Sequence, residues 1–123
     1  MDDIILIGGG GHCKSVIDTI NRLNKYNIIG VFDVPGKVGT QISGIKVIGI
    51  DDDLEYFYKK GIKYAFLTIG SIGDVILRRK LHSIAQGIGY KFPNIIDGTA
   101  IISEQIKIGS GNFIGKGVII NSD

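Results

Sequence analysis

The chain has 123 residues, which is enough for one domain or for a small domain and the start of another. Its formal net charge of +2 comes from mixed charges, which argues against the clustered basic face of a nucleic-acid-binding protein. One cysteine, Cys13, excludes an intrachain disulfide and fits the reducing cytoplasm, where we expect the protein to work. There is no Cys–His spacing typical of metal ligands and no apolar run of membrane-spanning length, so we expect neither a bound metal nor a membrane span.

The first elements alternate between strand and helix. Ile4–Ile7 is a short apolar run, mostly β-branched, which predicts a strand buried on both faces. Four glycines, Gly8–Gly11, follow this strand. From His12 the apolar residues recur at helical spacing, and we expect this helix to end at Asn27. Ile28–Phe32 is predicted to be the second strand.

The remainder of the first ninety residues continues this alternation. The predicted elements are a loop at Val34–Gly44, a strand at Ile45–Ile48, a helix capped by Asp51–Asp53, a strand at Tyr64–Ile69 and a helix from about Asp74 to Gln86. Strands that alternate with helices predict parallel β-α-β crossovers. We therefore predict an α/β fold in which residues 1–92 form a small Rossmann-like domain with a parallel sheet, and Pro93 starts a different pattern.

Residues 93–123 show a period of six. The isoleucines that mark it are Ile96, Ile102, Ile108, Ile114 and Ile120. A period of six belongs to neither a helix nor a simple strand, and is typical of a hexapeptide β-helix. The sequence stops at Asp123, inside the hexad that Ile120 opens, so we expect these residues to be the first coils of a truncated β-helix. The alternative is an ordinary β-meander with a coincidental isoleucine spacing.

The glycine run carries the chemistry of the first domain. Gly8–Gly11 lie between a strand and a helix, where backbone N–H groups and the helix dipole face an anion, most often a phosphate. Asp33 closes the second strand, at a position where acids commonly bind ribose hydroxyls. Cys13 stands where the dinucleotide fingerprint has Gly or Ala, which favours a general nucleotide site over an NAD site. Alternatively, the glycines only allow tight packing of strand against helix.

Several motifs together resemble one enzyme family. Ile4–Val16, Val31–Asp33, Ile69–Gly70, Leu77–Leu81 and the hexads from Ile96 are similar to the N-terminal part of the sialic acid O-acetyltransferase and UDP-amino-sugar (bacillosamine-type) N-acetyltransferase family. These are hexapeptide-repeat acyltransferases. The resemblance implies a Rossmann-like domain that binds a UDP-amino sugar or a related sugar. It also implies a left-handed parallel β-helix, a homotrimer, and acetyl-CoA bound as co-substrate between neighbouring subunits.

The resemblance also implies which residues bind the substrate. They are Gly8, Gly9, Gly10, Gly11, His12, Asp33, Ile69, Gly70, Ser71 and Arg78. The glycines and His12 would hold the diphosphate and approach the sugar, and Asp33 would face the uridine. Residues 69–71 would line the nucleotide pocket, and Arg78 would offer charge to a phosphate.

The sequence departs from the family pattern in two respects. Val34 and Pro35 replace acidic residues that usually follow Asp33. The family's catalytic histidine and its acetyl-CoA-binding coils belong to later hexads, so we expect no catalytic residue in these 123 residues and no acetyl transfer by them alone.

Alternatives remain for single residues and for the whole chain. His12 is expected to donate a hydrogen bond to the ligand rather than act as a base, and Cys13 is expected to pack in the core. Arg78 is either a phosphate ligand or part of a solvated helix face. The alternative function is a non-catalytic Rossmann-like sensor that binds NAD or another nucleotide, and a weaker one is a remnant that only contacts other proteins.

Overall fold

The computed structural model describes residues 1–69, 75–98, 100–102, 111, 113–114 and 119–120. In the first ninety residues it has five strands and three helices: β1 Asp2–Ile7, α1 Gly11–Leu23, β2 Tyr26–Phe32, β3 Gln41–Ile42, β4 Ile45–Gly49, α2 Leu54–Lys59, β5 Tyr64–Leu67 and α3 Val75–Ile88. Two short 3-10 turns occur at Pro35–Lys37 and Asp51–Asp53. Four two-residue strands follow: β6 Ile95–Ile96, β7 Ile101–Ile102, β8 Phe113–Ile114 and β9 Ile119–Ile120.

The five strands form one sheet in the order β3-β4-β2-β1-β5. The pairs β1–β2, β1–β5 and β2–β4 are parallel, and only the short β3 runs antiparallel to β4. The predicted parallel sheet with crossover helices is therefore confirmed, and this mixed α/β arrangement fits a Rossmann-like domain. The carboxyl ends of β4, β2, β1 and β5 consequently lie along the same edge of the sheet.

The central strand β1 is buried on both faces, as its sequence predicts. Ile5 and Ile7 pack in the cluster that includes Leu54, Leu81 and Ala85 of the two later helices. Ile4 and Leu6 pack in the opposite cluster, with Val16, Ile17 and Ile20 of α1. Full burial of such a side chain contributes about 1.5–3 kcal/mol, so both faces of β1 stabilise the sheet.

The first helix is shorter than its sequence predicts. It ends at Leu23, and Asn24 adopts the left-handed conformation with φ of 55° while its N–H donates to the carbonyl of Ile20 at 3.2 Å. The prediction that Asn27 ends this helix was wrong, because Asn24 already tolerates the left-handed cap and β2 starts at Tyr26.

The last helix of the sheet domain is slightly longer than predicted. It continues to Ile88 instead of Gln86, and Gly89, with φ of +126°, follows it. The preceding strand β5 ends at Leu67, two residues earlier than predicted.

The segment after α3 returns to the sheet and then crosses to α1. The N–H of Lys91 donates to the carbonyl of Lys63 at 2.8 Å, so this residue extends the sheet beside β5. Ile95 is fully buried in the cluster that Ile4 and Leu6 form with helix α1, hereafter the α1 cluster. The buried carboxylate of Asp97 pairs with Arg22 on α1 at 2.6 Å. Ile95 and Asp97 therefore pack against α1. The division at residues 92 and 93 stays a prediction.

The hexad region forms two parallel strand pairs. Ile95 and Ile96 pair with Phe113 and Ile114, and Ile101 and Ile102 pair with Ile119 and Ile120, so paired residues lie eighteen positions apart. That offset equals three hexads. Ile108 lies outside the described residues. The residues that are described give these two pairs and no complete coil of a β-helix.

Candidate functional site

A cavity of about 520 Å³ opens at the carboxyl edge of the parallel sheet. Ile7 at the end of β1, Phe32 at the end of β2 and Thr68 just after β5 line it. This is the edge at which open α/β sheets bind their ligands. The volume is within the range of about 300–1,000 Å³ that is usual for small-molecule sites.

Gly8 is required by the packing of β1 against the end of β5. Its φ is +111°, and an added Cβ would lie 2.5 Å from Cγ1 of Ile69 and 3.1 Å from its backbone nitrogen. The N–H of Gly8 donates to the carbonyl of Phe32 at 2.8 Å, and its carbonyl accepts from the Thr68 hydroxyl. Close packing alone therefore explains why glycine occupies position 8.

Gly9 and Gly10 differ in their surroundings. A Cβ on Gly9 would lie 2.5 Å from Oδ2 of Asp33, so this glycine lets the carboxylate approach the loop. A Cβ on Gly10 would have nothing within 4 Å. Gly10 has φ of −89° and lines the cavity. Neither packing nor a positive φ requires glycine there, and the open space beside it allows a ligand to approach the backbone closely.

The N-terminus of α1 faces the same cavity. Gly10 is its N-cap residue, no side chain caps it, and the first turn contains no acidic residue. The first N–H groups of a helix lack partners within the helix, and the helix dipole gives that end a partial positive charge. A thirteen-residue helix that presents this end to a cavity lined by glycine is suited to bind an anion.

His12 lines the cavity from the first turn of α1. Its ring meets Phe113 edge to face, with 5.3 Å between the ring centroids, so the hexad region reaches the rim of the site. Burial lowers the pKa of His12 from its ordinary value of 6.5, and the nearby charge of Arg78 lowers the pKa further. The imidazole is therefore neutral at pH 7 and has one N–H to donate.

Arg78 supports the wall of the cavity from α3. Its Nη1 donates to the carbonyl of Ile69 at 2.9 Å. The side chain is half-buried, and Arg79 and Lys80 beside it are exposed. Arg78 therefore differs from the solvated members of its charge run, and its guanidinium holds Ile69 in the cavity wall.

Cys13 and His82 lie away from the cavity surface. Cys13 is fully buried in the α1 cluster, and burial raises the pKa of its thiol although a hydrogen bond with Thr68 opposes this. The expected packing role of Cys13 is thus supported. His82 stacks on Phe92, with 4.4 Å between the ring centroids.

Most of the sequence-predicted site residues that the structure describes meet in this one cavity. Its lining includes Gly8, Gly9, Gly10, His12, Asp33 and Ile69. Arg78 stands behind Ile69, and Gly11 is the first residue of α1. Gly70 and Ser71 lie outside the described residues.

Several lining residues were not singled out from the sequence. They are Val34, Pro35, Asp51, Thr68, Leu77 and Leu81. Asp51 follows β4 and Thr68 follows β5, so the rule that ligands bind at the carboxyl ends of parallel strands identifies both.

In the described part of the chain, no group of His, Cys, Asp and Glu side chains has the geometry to hold a metal ion, and no helix there has the length and apolarity of a membrane span.

Alanine substitutions should separate the structural glycine from the ligand-facing one. Gly8→Ala should lower the free energy of unfolding by about 2 kcal/mol or more, since it forces a Cβ into a left-handed, crowded position. Gly10→Ala should cost less than about 1 kcal/mol, the range for an N-cap change. Urea denaturation measures both, and equal losses in the two variants would contradict the distinction.

The lowered pKa of His12 should make stability depend on pH. Below pH 6.5 the unfolded chain binds a proton at this residue more readily than the folded chain, so stability falls as the pH decreases through the folded pKa. Urea denaturation between pH 8 and pH 5.5 should give a steeper loss for the native sequence than for His12→Gln. Identical pH profiles would show that the imidazole is not desolvated in the fold.

Comparisons with known proteins show the family to which this chain belongs. The family model described as the PglD N-terminal domain matches residues 3–85. An uncharacterized protein of Acanthamoeba polyphaga mimivirus is 35% identical over 113 residues, which cover 91% of this chain. The chain spans only 21% of that relative.

Two solved structures have similar folds. Perosamine N-acetyltransferase from Caulobacter crescentus, in complex with CoA and GDP-perosamine, matches with a TM-score of 0.87 and 31% identity over 100% of this chain. This chain spans 56% of that protein. The acetyltransferase domain of PglB from Neisseria gonorrhoeae matches with a TM-score of 0.75 and 24% identity, over 97% of this chain and 61% of its own length. The chain belongs to the PglD N-terminal domain family.

Proposed function

We propose that this chain is the sugar-nucleotide-binding part of a sugar acetyltransferase that uses acetyl-CoA. The observation that carries the proposal is the uncapped N-terminus of α1 at Gly10, which faces a cavity lined by glycine backbone with space left beside it. Support also comes from perosamine N-acetyltransferase, a similar protein that binds GDP-perosamine and CoA.

Each residue around the cavity has a role in this proposal. The diphosphate binds the N–H groups of Gly9–Gly11 at the N-terminus of α1, since the Gly8 N–H is already bonded to the Phe32 carbonyl, and neutral His12 donates its N–H to the ligand. Asp33 accepts hydrogen bonds from the ribose hydroxyls, since it stands at the end of β2 beside Gly9. Ile69 lines the nucleotide pocket, and by resemblance Gly70 and Ser71 take part in binding the nucleotide. Arg78 holds Ile69 and adds positive charge on that side.

The proposed reaction is acetyl transfer to an amino group or hydroxyl of the sugar. The sugar nitrogen or oxygen attacks the thioester carbonyl of acetyl-CoA, the C–S bond breaks, and CoA leaves as the thiol. A neutral histidine takes the proton from the attacking atom, which suits a group with a pKa near the working pH. By resemblance that histidine belongs to later hexads of the complete enzyme, and His12 has the ligand-binding role instead.

The hexad region is proposed to be the start of a left-handed parallel β-helix. The offset of eighteen residues in both strand pairs supports this, because three hexads then make one turn. In the complete protein such coils would assemble into a homotrimer that binds acetyl-CoA between subunits. The packing of Ile95 and Asp97 against α1 fixes the first coil to the sugar-nucleotide domain. The cytoplasm is the proposed compartment.

Isothermal titration calorimetry tests the binding role. The chain should give saturable binding with GDP-mannose or UDP-N-acetylglucosamine as probes, and no comparable binding with NADH. Gly10→Ala should weaken sugar-nucleotide binding about tenfold or more, because its methyl group occupies the space left for the diphosphate.

Gly87→Ala is the matched control, since a Cβ at this helical position also has nothing within 4 Å and Gly87 lies outside the cavity. It should leave the affinity unchanged. Tight NADH binding without sugar-nucleotide binding would favour the nucleotide-sensor alternative. Absence of binding to every probe by a folded sample would contradict the proposal.

A further inference from the structure

Asp51 is a polar residue of the cavity that has no role in the proposed function. It lies two residues after the end of β4, it is partly buried, and it lines the cavity. Asp53, not Asp51, caps the following turn, because Oδ2 of Asp53 accepts the N–H of Ile50 at 2.9 Å. Among the described residues, the carboxylate of Asp51 receives no hydrogen bond and joins no salt bridge. Its acceptor oxygens are therefore available to a ligand.

The order of the strands places Asp51 at one end of a line of three ligand-binding positions. The glycine loop follows β1, Asp33 follows β2, and Asp51 lies beyond β4, and these three strands are neighbours in the order β4-β2-β1. Adjacent strands are about 5 Å apart, so the three positions lie at successive steps of about that length along the edge. A nucleotide extends by similar steps from phosphate to ribose to base. With phosphate at the glycine loop and ribose at Asp33, the base reaches Asp51.

The wall beside Asp51 is apolar. Val34 and Pro35 line the cavity between the ends of β2 and β4, and Val34 is 59% exposed. These two residues stand where the family resemblance leads one to expect acids. An apolar wall with a carboxylate at its far end suits the flat face of a base whose edge carries hydrogen-bond donors.

We propose that Asp51 selects guanine as the base of the bound sugar nucleotide, an inference that rests on the proposed function. The Watson–Crick edge of guanine has two adjacent donors, N1–H and the N2 amino group, which match the two oxygens of one carboxylate. Uracil has a single donor, N3–H, which lies between two carbonyl oxygens. A carboxylate repels these two oxygens. We therefore expect a guanine nucleotide at this site instead of the uridine nucleotide that the family resemblance implies.

Calorimetric titration of the chain with GDP, IDP and UDP tests this assignment. GDP should bind about tenfold or more tightly than UDP, because the site leaves a carboxylate oxygen unpaired and opposed to a carbonyl when uracil is bound. IDP lacks the N2 amino group and should have an intermediate affinity. These three ligands share the diphosphate and ribose, so their differences report only on the base.

The variant Asp51→Asn should remove the preference. An asparagine amide has one acceptor and one donor, so it loses one bond to guanine and gains a match to uracil. We expect GDP affinity to fall about tenfold and the ratio of GDP to UDP affinity to approach one. Asp52→Asn is the matched control, since Asp52 is exposed, lies outside the cavity, and should not affect either affinity. If circular dichroism shows Asp51→Asn to be unfolded, Asp51→Ser, which offers a smaller hydroxyl group, is used in its place.

The outcomes separate this inference from the proposed function. Equal binding of GDP and UDP by the native sequence, or a parallel loss of both with Asp51→Asn, overturns the guanine assignment and leaves a sugar-nucleotide site. Absence of binding of all three nucleotides overturns the proposed function itself. A preference for GDP that Asp51→Asn abolishes and Asp52→Asn keeps supports the inference.

Discussion

The close contact between Gly8 and the backbone after β5 is the constraint on which the site depends. With a positive φ and no side chain, Gly8 lets the end of β1 lie against Ile69, and the Thr68 hydroxyl ties the two segments through the Gly8 carbonyl. This contact turns the chain from β1 into α1 at a fixed angle. The uncapped helix end, the Asp33 carboxylate beside Gly9 and the side chain of His12 then all face one cavity.

The same helix also contacts described residues of the hexad region. Arg22 pairs with the buried Asp97, Ile95 packs under α1, and Phe113 contacts the ring of His12 at the helix start. Helix α1 therefore connects the candidate ligand site with the first hexads.

Much of the fold could be predicted because local chemistry and tertiary packing agree. The apolar run Ile4–Ile7 and the glycines after it have one plausible arrangement, a buried strand that turns into a helix. The end of α1 was missed because the sequence does not distinguish Asn24 from the other asparagines nearby. Only the structure shows that Asn24 adopts the left-handed cap. Asp51 was interpreted only as a helix cap, since sequence cannot show that Asp53 accepts the N–H of Ile50 and that Asp51 lines the cavity.

The central claim, that the cavity floored by Gly8–Gly10 binds a nucleoside diphosphate, is tested most directly by NMR. The amide resonances of the labelled chain would be followed while a nucleoside diphosphate is added. We expect the largest shifts at Gly8–His12 and at the residues that follow β2 and β4. Shifts confined to other surfaces, such as the exposed face of α2, or saturating binding without change at the glycine amides, would contradict it.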